Sequence, residues 1–207
     1  TLMITDSYAE YEERMQPERA PGLVFFNIDT VFSTQLNNKS DRSNLDFKVI
    51  SRPMGVGLLK FNFNIPIQGS TQYALQGNLT NLELSKMNSI LKSSTLMEFT
   101  AGKVNKMDFS FQYDDARSWG NLSMDLDTIA LQVFKKKSPD KRSLIKTLIL
   151  RDVLDDKIKN PHQLKGIISF ERDRRRSVFN FWWKSLLSGF KQAMGVDQKS
   201  IEAANDE

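Results

Sequence analysis

Apolar and polar residues alternate one by one over most of the chain between residues 22 and 134. Period-two alternation is typical of a β-strand with one buried and one solvated face. The first run predicts that Val24, Phe26, Ile28, Thr30 and Phe32 share a face. The apolar members of the later runs are Leu59, Phe61, Phe63, Ile65, Ile67, Tyr73, Leu75, Leu79, Met107, Phe109, Phe111, Tyr113, Leu122, Met124, Leu126, Ile129, Leu131 and Val133. The pattern therefore predicts a mainly β protein whose sheet has one apolar face.

Short turn signals separate these runs at the spacing of β-hairpins, so we expect the strands to be antiparallel. The signals are Asn37-Asn38, Pro53-Met54-Gly55, Gly69-Ser70, Asp114-Asp115 and Ser138-Pro139-Asp140. Pro66 lies within a strand pattern although it has no N–H to donate. That strand is therefore expected either to lie at a sheet edge or to break near residue 66.

Two segments favour helices. Leu84 to Lys92 has apolar residues at helical spacing, with Ser85 as a candidate N-cap. Residues 143–159 fit either a helix or a buried strand, and both alternatives stay open. Val178 to Met194 predicts an amphipathic helix that Gly195 can terminate. The apolar arc of this helix comprises Phe179, Trp182, Trp183, Leu186, Leu187, Phe190, Ala193 and Met194, and its opposite side carries Asn180, Lys184, Ser188 and Lys191.

The chain has no Cys and a single His, His162. These counts exclude thiol catalysis, disulfides, Cys-type zinc sites and any centre that needs two imidazoles. A general acid needs a carboxyl whose pKa is raised in a pocket, whereas the paired carboxylates of this chain fit turns or solvated faces better. The pairs are Asp114 with Asp115, Asp125 with Asp127, Asp140 with Asp152, and Asp155 with Asp156. We therefore expect no enzymatic activity, no metal and no cofactor.

Positive charge is concentrated between Lys135 and Arg176, where fourteen Lys and Arg stand against six Asp and Glu. Arginines beside tryptophans can bind nucleic acid. Trp182 and Trp183 instead belong to a continuous apolar helical stripe, which favours core packing, a plug at the end of a groove, or contact with a membrane surface. No nucleic-acid partner is expected. The candidate membrane-contact residues are Arg172, Arg174, Arg175, Arg176, Trp182, Trp183 and Phe190.

Short motifs are spread over residues 5–195. They are Ser7-Tyr8-Ala9-Glu10-Tyr11 with Pro21-Gly22-Leu23-Val24-Phe25, Tyr73-Ala74-Leu75-Gln76-Gly77-Asn78-Leu79, Leu82-Glu83-Leu84-Ser85-Lys86-Met87-Asn88, Thr100-Ala101-Gly102-Lys103-Val104 to Phe109-Ser110-Phe111, Gly120-Asn121-Leu122-Ser123-Met124, and Lys165-Gly166-Ile167 through Phe190. Together they resemble the carboxy-terminal module of the AsmA-like bacterial envelope proteins. This superfamily includes TamB-like and YhdP-like proteins, and the ending is similar to the versions from Bacteroidetes.

The resemblance implies a long antiparallel sheet that curves into an apolar trough or half-open barrel. It also implies a periplasmic location and a function in carrying phospholipid toward the outer membrane. The sequence opens on Thr1, so we expect it to be part of a longer chain, with an inner-membrane anchor upstream. We divide it into a strand-rich module over residues 1–177, an amphipathic helix over 178–195 and a flexible tail over 196–207.

A sheet with one apolar face must cover that face with protein or with a ligand, and acyl chains can serve as the ligand. The first hypothesis is therefore a non-catalytic lipid-binding or lipid-conducting module, and a closed protein core is the alternative. Its candidate lipid-binding residues are Phe61, Phe63, Ile65, Phe109, Phe111, Leu122 and Met124. The second hypothesis is a scaffold or assembly module that binds an envelope protein by strand addition at a sheet edge.

Overall fold

The computed structural model of the chain describes residues 1–14, 20–33, 44–67, 71–95, 97–127, 129–134, 144–149 and 164–195. The strands within these ranges are β1 (Leu2–Glu13), β2 (Gly22–Ser33), β3 (Asn44–Pro53), β4 (Leu58–Pro66), β5 (Tyr73–Glu83), β6 (Met97–Ala101), β7 (Lys103–Tyr113), β8 (Arg117–Leu126), β9 (Ala130–Phe134), β10 (Leu144–Ile149) and β11 (Leu164–Glu171). A 3-10 helix (Leu84–Met87) leads into α1 (Asn88–Thr95), and α2 spans Val178–Ala193. The prediction of a mainly β protein is confirmed.

Eight of these strands form one sheet in the order β1-β2-β3-β4-β5-β7-β8-β11, and all its neighbours are antiparallel. The other three form a second sheet in the order β10-β9-β6. The undecided segment 143–159 thus contains a strand at Leu144–Ile149, and residues 150–159 lie outside the described ranges. In the large sheet β1 and β11 form the two edges, so this sheet does not close on itself.

Pro66 is the last residue of β4, an interior strand that pairs with β3 on one side and with β5 on the other. The expectation that this strand lies at an edge is therefore wrong, and the alternative, a break near residue 66, is confirmed. The last β4–β5 pair joins Asn64 to Ala74. No residue of β5 pairs with Pro66, so the lack of an N–H at Pro66 removes no hydrogen bond between β4 and β5.

A bulge in β2 changes which of its residues face inward. Ile28 pairs with Ser51, whereas Val31 pairs with Val49, so one extra residue separates the two pairs on β2. An extra residue reverses the alternation of a strand from that point onward. The prediction that Thr30 and Phe32 share the inner face is consequently wrong, because Val31 takes that side beyond the bulge.

The large sheet is curved around α2. Phe179 packs on Tyr11 of edge strand β1 with ring centroids 4.6 Å apart, and Phe181 packs on Phe170 of the opposite edge strand β11 at 6.3 Å. In a flat sheet these edges would be about 34 Å apart, at roughly 4.8 Å per strand. One helix is only about 10–12 Å wide. The two edges can meet the same helix only if the sheet wraps around it, which confirms the curved trough.

One end of the trough is covered by the 3-10 helix and α1. Their apolar side chains Met87, Ile90 and Leu91 are buried in the core, as the spacing predicts. Ser89 of α1 accepts a hydrogen bond from the backbone N–H of Leu23 at the start of β2, at 2.9 Å. The prediction of Ser85 as the N-cap is wrong, because the 3-10 helix begins after Glu83 without a side-chain capping bond.

The helix α2 begins and ends close to the predicted boundaries. The side chain of Ser177 caps it by accepting the N–H of Asn180 at 3.2 Å. Gly195 follows its last turn with a φ of 65° and donates its N–H to the carbonyl of Gln192, which confirms the predicted glycine terminus. The proposed division separates residues 178–195 from the strands, but α2 packs on the same core as the strands. The proposed tail from residue 196 lies outside the described residues.

Candidate functional site

A cavity of about 290 Å³ lies between the inner face of the large sheet and α2. Its wall is almost wholly apolar and is built from strands β1–β5 and β7, the 3-10 helix, α1, β6 and α2. The lining residues include Phe26, Ile28, Val49, Leu59, Phe61, Leu75, Leu79, Leu84, Leu91, Phe99, Met107, Phe109, Phe179, Trp182, Trp183, Leu186, Leu187 and Phe190. Such a wall can bind hydrocarbon without any specific polar contact.

The cavity opens at edge strand β1. Ala9 lines the cavity and is also exposed to solvent, so it lies at the mouth. Tyr11 and Phe179 meet on one side of this opening. The mouth therefore lies in the seam between β1 and α2, where the curved sheet stops short of closing.

The seven candidate lipid-binding residues fall into three groups. Phe61 and Phe109 line the cavity. Two others, Phe63 and Ile65, are half-buried on β4 beyond the cavity wall. The remaining three are fully buried core residues that do not line the cavity, namely Phe111, Leu122 and Met124.

Phe63 and Ile65 lie on an apolar strip that leads from the cavity to the end of β4. Phe61, inside the cavity, and Phe63 are two residues apart on one strand, so their side chains share a face. Phe63 stacks on Phe47 of β3 with ring centroids 4.7 Å apart, and Ile65 pairs with Leu45. All four residues beyond the cavity are only partly buried. The inner face of the trough thus stays apolar past the cavity wall.

Of the cavity wall, sequence reasoning named only Phe61 and Phe109 as lipid-binding candidates, and it missed the one hydroxyl-bearing residue of the wall, Ser51. The side chain of Ser51 is 2% exposed, and its Oγ has no hydrogen-bond partner among the described residues. Ala9 and Ser51 are not apolar members of a clear alternating run. The signal that could have found Ser51 is its position two residues from Val49 on the same face of β3.

The side of α2 opposite its apolar arc is only partly solvated, although an amphipathic helix on a sheet would normally expose it. Asn180 is buried and donates from Nδ2 to Oε1 of Glu13, itself buried at the end of β1, at 2.7 Å. Lys184 and Lys191 are half-buried on the same side. Burial lowers the pKa of both lysines, and the neighbouring charge of Lys184 lowers the pKa of Lys191 further.

The residues predicted to contact a membrane are divided between the interior and the surface. Trp182, Trp183 and Phe190 line the cavity, so they face inward. Membrane contact through these three side chains would require α2 to leave the sheet. Trp182 instead packs at 5.8 Å on Phe63 and at 6.0 Å on Tyr113, measured between ring centroids.

The arginines before α2 are largely engaged by the protein itself. Arg172 is bound to the carboxylate of Asp115 at 3.1 Å, and its guanidinium lies over the ring of Phe181. The Nε of Arg174 donates to the backbone carbonyl of Asp115. Arg175 pairs with Asp173 at 3.1 Å, whereas Arg176 is exposed. These contacts tie the start of α2 to the β7–β8 turn.

Two of the four carboxylate pairs contain groups whose contacts fit structural roles. The backbone N–H groups of Ala116 and Arg117 donate to Asp114, which lowers the pKa of its carboxyl. Asp127 accepts a hydrogen bond from the side chain of Asn105 at 3.0 Å. A lowered pKa is the opposite of what a general acid at neutral pH requires. Asp140, Asp152, Asp155, Asp156 and His162 lie outside the described residues.

The described ranges contain neither a metal-binding cluster nor a membrane-spanning helix. No cluster of three or more His, Cys, Asp or Glu side chains there could hold a metal ion. No helix in the same ranges is long and apolar enough to cross a membrane.

No protein-family model matches the chain, and no curated protein and no solved structure matches it either.

Proposed function

We propose that this chain is a non-catalytic lipid-binding module whose cavity holds the acyl chain of a phospholipid. The observation that carries the proposal is the open, almost wholly apolar cavity of about 290 Å³ between the sheet and α2. A packed protein interior has few voids larger than a water molecule. A cavity of this size, with a mouth at the surface, is better explained by a ligand than by imperfect packing.

The volume suits one hydrocarbon chain. At about 30 Å³ per water-sized group, the cavity holds roughly ten methylene groups. Burying each methylene is worth about 0.8 kcal/mol, so ten contribute about 8 kcal/mol before the cost of immobilising the chain is subtracted. Hydrophobic burial can therefore supply the main driving force for holding a lipid without a catalytic or strongly polar group.

The proposal extends to conduction along the trough. The apolar strip through Phe63 and Ile65 offers a path by which a chain could leave the cavity along the inner face of the sheet. In an AsmA-like envelope protein this path would be one segment of a route for phospholipid between the inner and outer membranes. We accordingly propose a periplasmic location for the module, within a protein anchored in the inner membrane.

A substitution at the mouth tests the proposal. Ala9→Trp places a large ring at the opening, and Ala74→Trp is the matched control, since Ala74 is an exposed strand residue on the outer face. Mass spectrometry of organic extracts should find phospholipid with the wild type and with Ala74→Trp, and much less with Ala9→Trp. Absence of lipid from the wild type, even after incubation with phospholipid, would contradict the proposal, as would equal amounts in both variants.

A scaffold function is the second candidate, and the two sheet edges provide the observation that favours it. Gln192 and Ser188 of α2 accept hydrogen bonds from the backbone N–H groups of Ile167 and Ser169, which covers part of the β11 edge. Among the described strands, β1 pairs only with β2. An open edge can receive a strand from a partner protein.

Photocrosslinking distinguishes the two candidates. A photoreactive residue in place of Glu10, which is exposed on β1, should give protein adducts if the edge binds an envelope protein. A photoreactive residue in place of Leu79, which lines the cavity, should give lipid adducts if the cavity binds acyl chains. Protein adducts at residue 10 without lipid adducts at residue 79 would favour the scaffold.

A further inference from the structure

The cavity runs along α2 between two pairs of aromatic rings. Near the mouth, Phe179 packs at 5.5 Å on Phe26, the β2 residue that pairs with Ala9. Farther along the helix, Phe190 also lines the cavity and packs edge-on against Phe99 of β6, with ring centroids 5.8 Å apart. About 16 Å of helix separates Phe179 from Phe190, at 1.5 Å per residue. The cavity is therefore elongated, with the mouth near one end and Phe99 at the other.

The end of the cavity near Phe99 is closed by protein. At the mouth, Ala9 is exposed and Phe26 and Phe179 are only half-buried. The lining residues at the other end are all fully buried, and they come from the 3-10 helix, α1 and β6: Leu84, Met87, Leu91 and Phe99. These four residues form what we call the end wall. The cavity is therefore open at the β1 seam and blind at the end wall.

Hydrogen bonds hold the end wall in place. The side-chain amide of Asn88, at the start of α1, makes two bonds to the backbone of Phe99. Its Nδ2 donates to the carbonyl oxygen at 2.8 Å, and its Oδ1 accepts the N–H at 2.9 Å. The N–H of Leu84 donates to the carbonyl oxygen of Gly102, just after β6, at 3.0 Å. The 3-10 helix and α1 are thus joined to the β6 segment, so the end wall resists displacement by a chain that reaches it.

We propose that the end wall sets the length of acyl chain that the cavity binds, at about ten methylene groups. This inference rests on the proposed lipid-binding function and adds to it a chain length and the residues that determine it. The methyl end of the chain lies against Met87, Leu91 and Phe99, and the headgroup stays outside the mouth. Each methylene that enters the cavity leaves water and adds affinity, whereas a methylene beyond this length stays at the mouth and gains little.

The matched ligands for a test differ only in chain length. Lysophosphatidylcholines with saturated chains of about 6 to about 16 carbons bracket the length that the volume allows, and each is titrated below its micelle concentration. Binding is followed by the fluorescence of Trp182 and Trp183, which line the cavity. The background substitution Trp119→Phe removes the third tryptophan of the chain.

We expect the affinity of the wild type to rise about three- to fourfold for each added methylene until the chain has about ten to twelve carbons. Beyond that length the rise should fall to less than about 1.5-fold for each methylene, because the added groups remain outside the cavity. The chain length at which the slope changes is the quantity that the variants should move.

Substitutions in the end wall should move this chain length. Leu91→Ala removes three carbon atoms from the wall and should move it by about two carbons toward longer chains, since part of the freed space collapses. Met87→Ala is a second, independent variant with the same expected result, and Leu91→Phe should move it toward shorter chains. Ile90→Ala is the matched control, because Ile90 is a fully buried neighbour on α1 that does not line the cavity and also loses three carbon atoms. The control should behave as the wild type.

The wild-type series alone can overturn the inference, so the test does not depend on the folding of any variant. An affinity that rises at one rate through the longest chain would show that the cavity is not blind, and it would leave the lipid-binding function standing. Circular dichroism checks the fold of each variant before titration. A slope change that stays in place in both Leu91→Ala and Met87→Ala, or that moves equally in Ile90→Ala, would also overturn the inference. Failure of every chain length to bind would overturn the proposed function itself.

Discussion

At the scale of single residues, Lys191 makes the stability of the fold depend on pH, because its side chain is half-buried on α2. Burial lowers its pKa in the folded state below the value of an unfolded chain. In the pH interval between those two pKa values, the unfolded chain binds more protons than the folded one, so the stability of the fold rises with pH. The interval lies on the alkaline side, because the unfolded pKa of lysine is about 10.4.

Lys191→Met should therefore stabilise the protein at neutral pH and reduce the rise in stability as the pH approaches 10. The measurement is urea unfolding at several pH values from 7 to 10, with the difference between variant and wild type plotted against pH. Taking the difference cancels the opposing effect of Tyr113, whose pKa is raised by its burial. A difference that stays constant over this range would contradict the prediction.

Asp114 stabilises the fold when its carboxyl is ionised, and it loses this effect in acid, as is usual for a carboxylate. The N–H groups of Ala116 and Arg117 lower the pKa of this carboxyl in the folded protein. Its contribution to the stability of the fold is therefore complete at pH values above the pKa of the unfolded chain. The contribution is lost as the pH falls through the lower pKa of the folded protein. Asp114→Ala should consequently weaken the fold near pH 7 and have a smaller effect at pH 2. An NMR titration of the carboxyl that gives an unshifted or raised pKa would contradict this account.

At the scale of elements, the contact between α2 and β11 depends on two glycines. A Cβ on Gly166 of β11 would collide with the carbonyl oxygen of Gly189 in α2, and a Cβ on Gly189 would approach Leu122 and Ile168. The helix can lie this close to the sheet only because neither residue has a side chain. Ser185 is fully buried on the same face of α2, and its Oγ shares a hydrogen bond with the Oγ of Ser118 on β8 at 2.7 Å.

Gly166→Ala should force α2 away from β11 and destabilise the protein by about 1–3 kcal/mol, the range typical of overpacking. Thermal or urea unfolding measures the loss, and Lys165→Ala, at the exposed neighbouring position, is the control. If both variants unfold at the same denaturant concentration, the close approach of α2 to β11 does not limit stability.

The aromatic side chains of α2 should not all contribute equally to the stability of the fold. Phe181 is 1% exposed and packs on Phe170 and Tyr113, so Phe181→Ala should cost about 3–5 kcal/mol. Trp183 is only half-buried and borders the cavity, so Trp183→Ala should cost less and chiefly enlarge the cavity. Urea unfolding of the two variants tests this order, and a larger loss for Trp183→Ala would contradict it.

At the scale of the whole molecule, the two edges of the large sheet are protected differently. The N–H groups of Ile167 and Ser169 on β11 are bound by side chains of α2. The outer edge of β1 has no strand beside it among the described elements. Hydrogen exchange should therefore be slower at residues 167 and 169 than at the alternate β1 residues whose N–H groups point away from β2. Equal protection of both edges would indicate that another segment covers β1.

Much of the fold could be predicted from the sequence because it depends on local periodicity. Alternation over residues 59–67 and 107–113 is a property of neighbouring residues, and it was sufficient to predict strands with one apolar face. The spacing of apolar residues and the glycine at 195 likewise predicted α2 and its end. These features carry their own signal, since side-chain direction in a strand or helix follows from backbone geometry.

The tertiary structure alone decided which elements meet. Pro66 is compatible with an edge or a strand end, and only the pairing of β4 on both sides distinguished them. The bulge that moves Phe32 from the inner face is a matter of register between two strands, which no single strand encodes. The same holds for Asn180: the helical pattern placed it on the polar side of α2, but the sheet had to curve around α2 before it could contact Glu13 of β1. Long-range pairing and curvature depend on contacts between residues far apart in the chain, and the local periodicity of the sequence carries no information about such contacts.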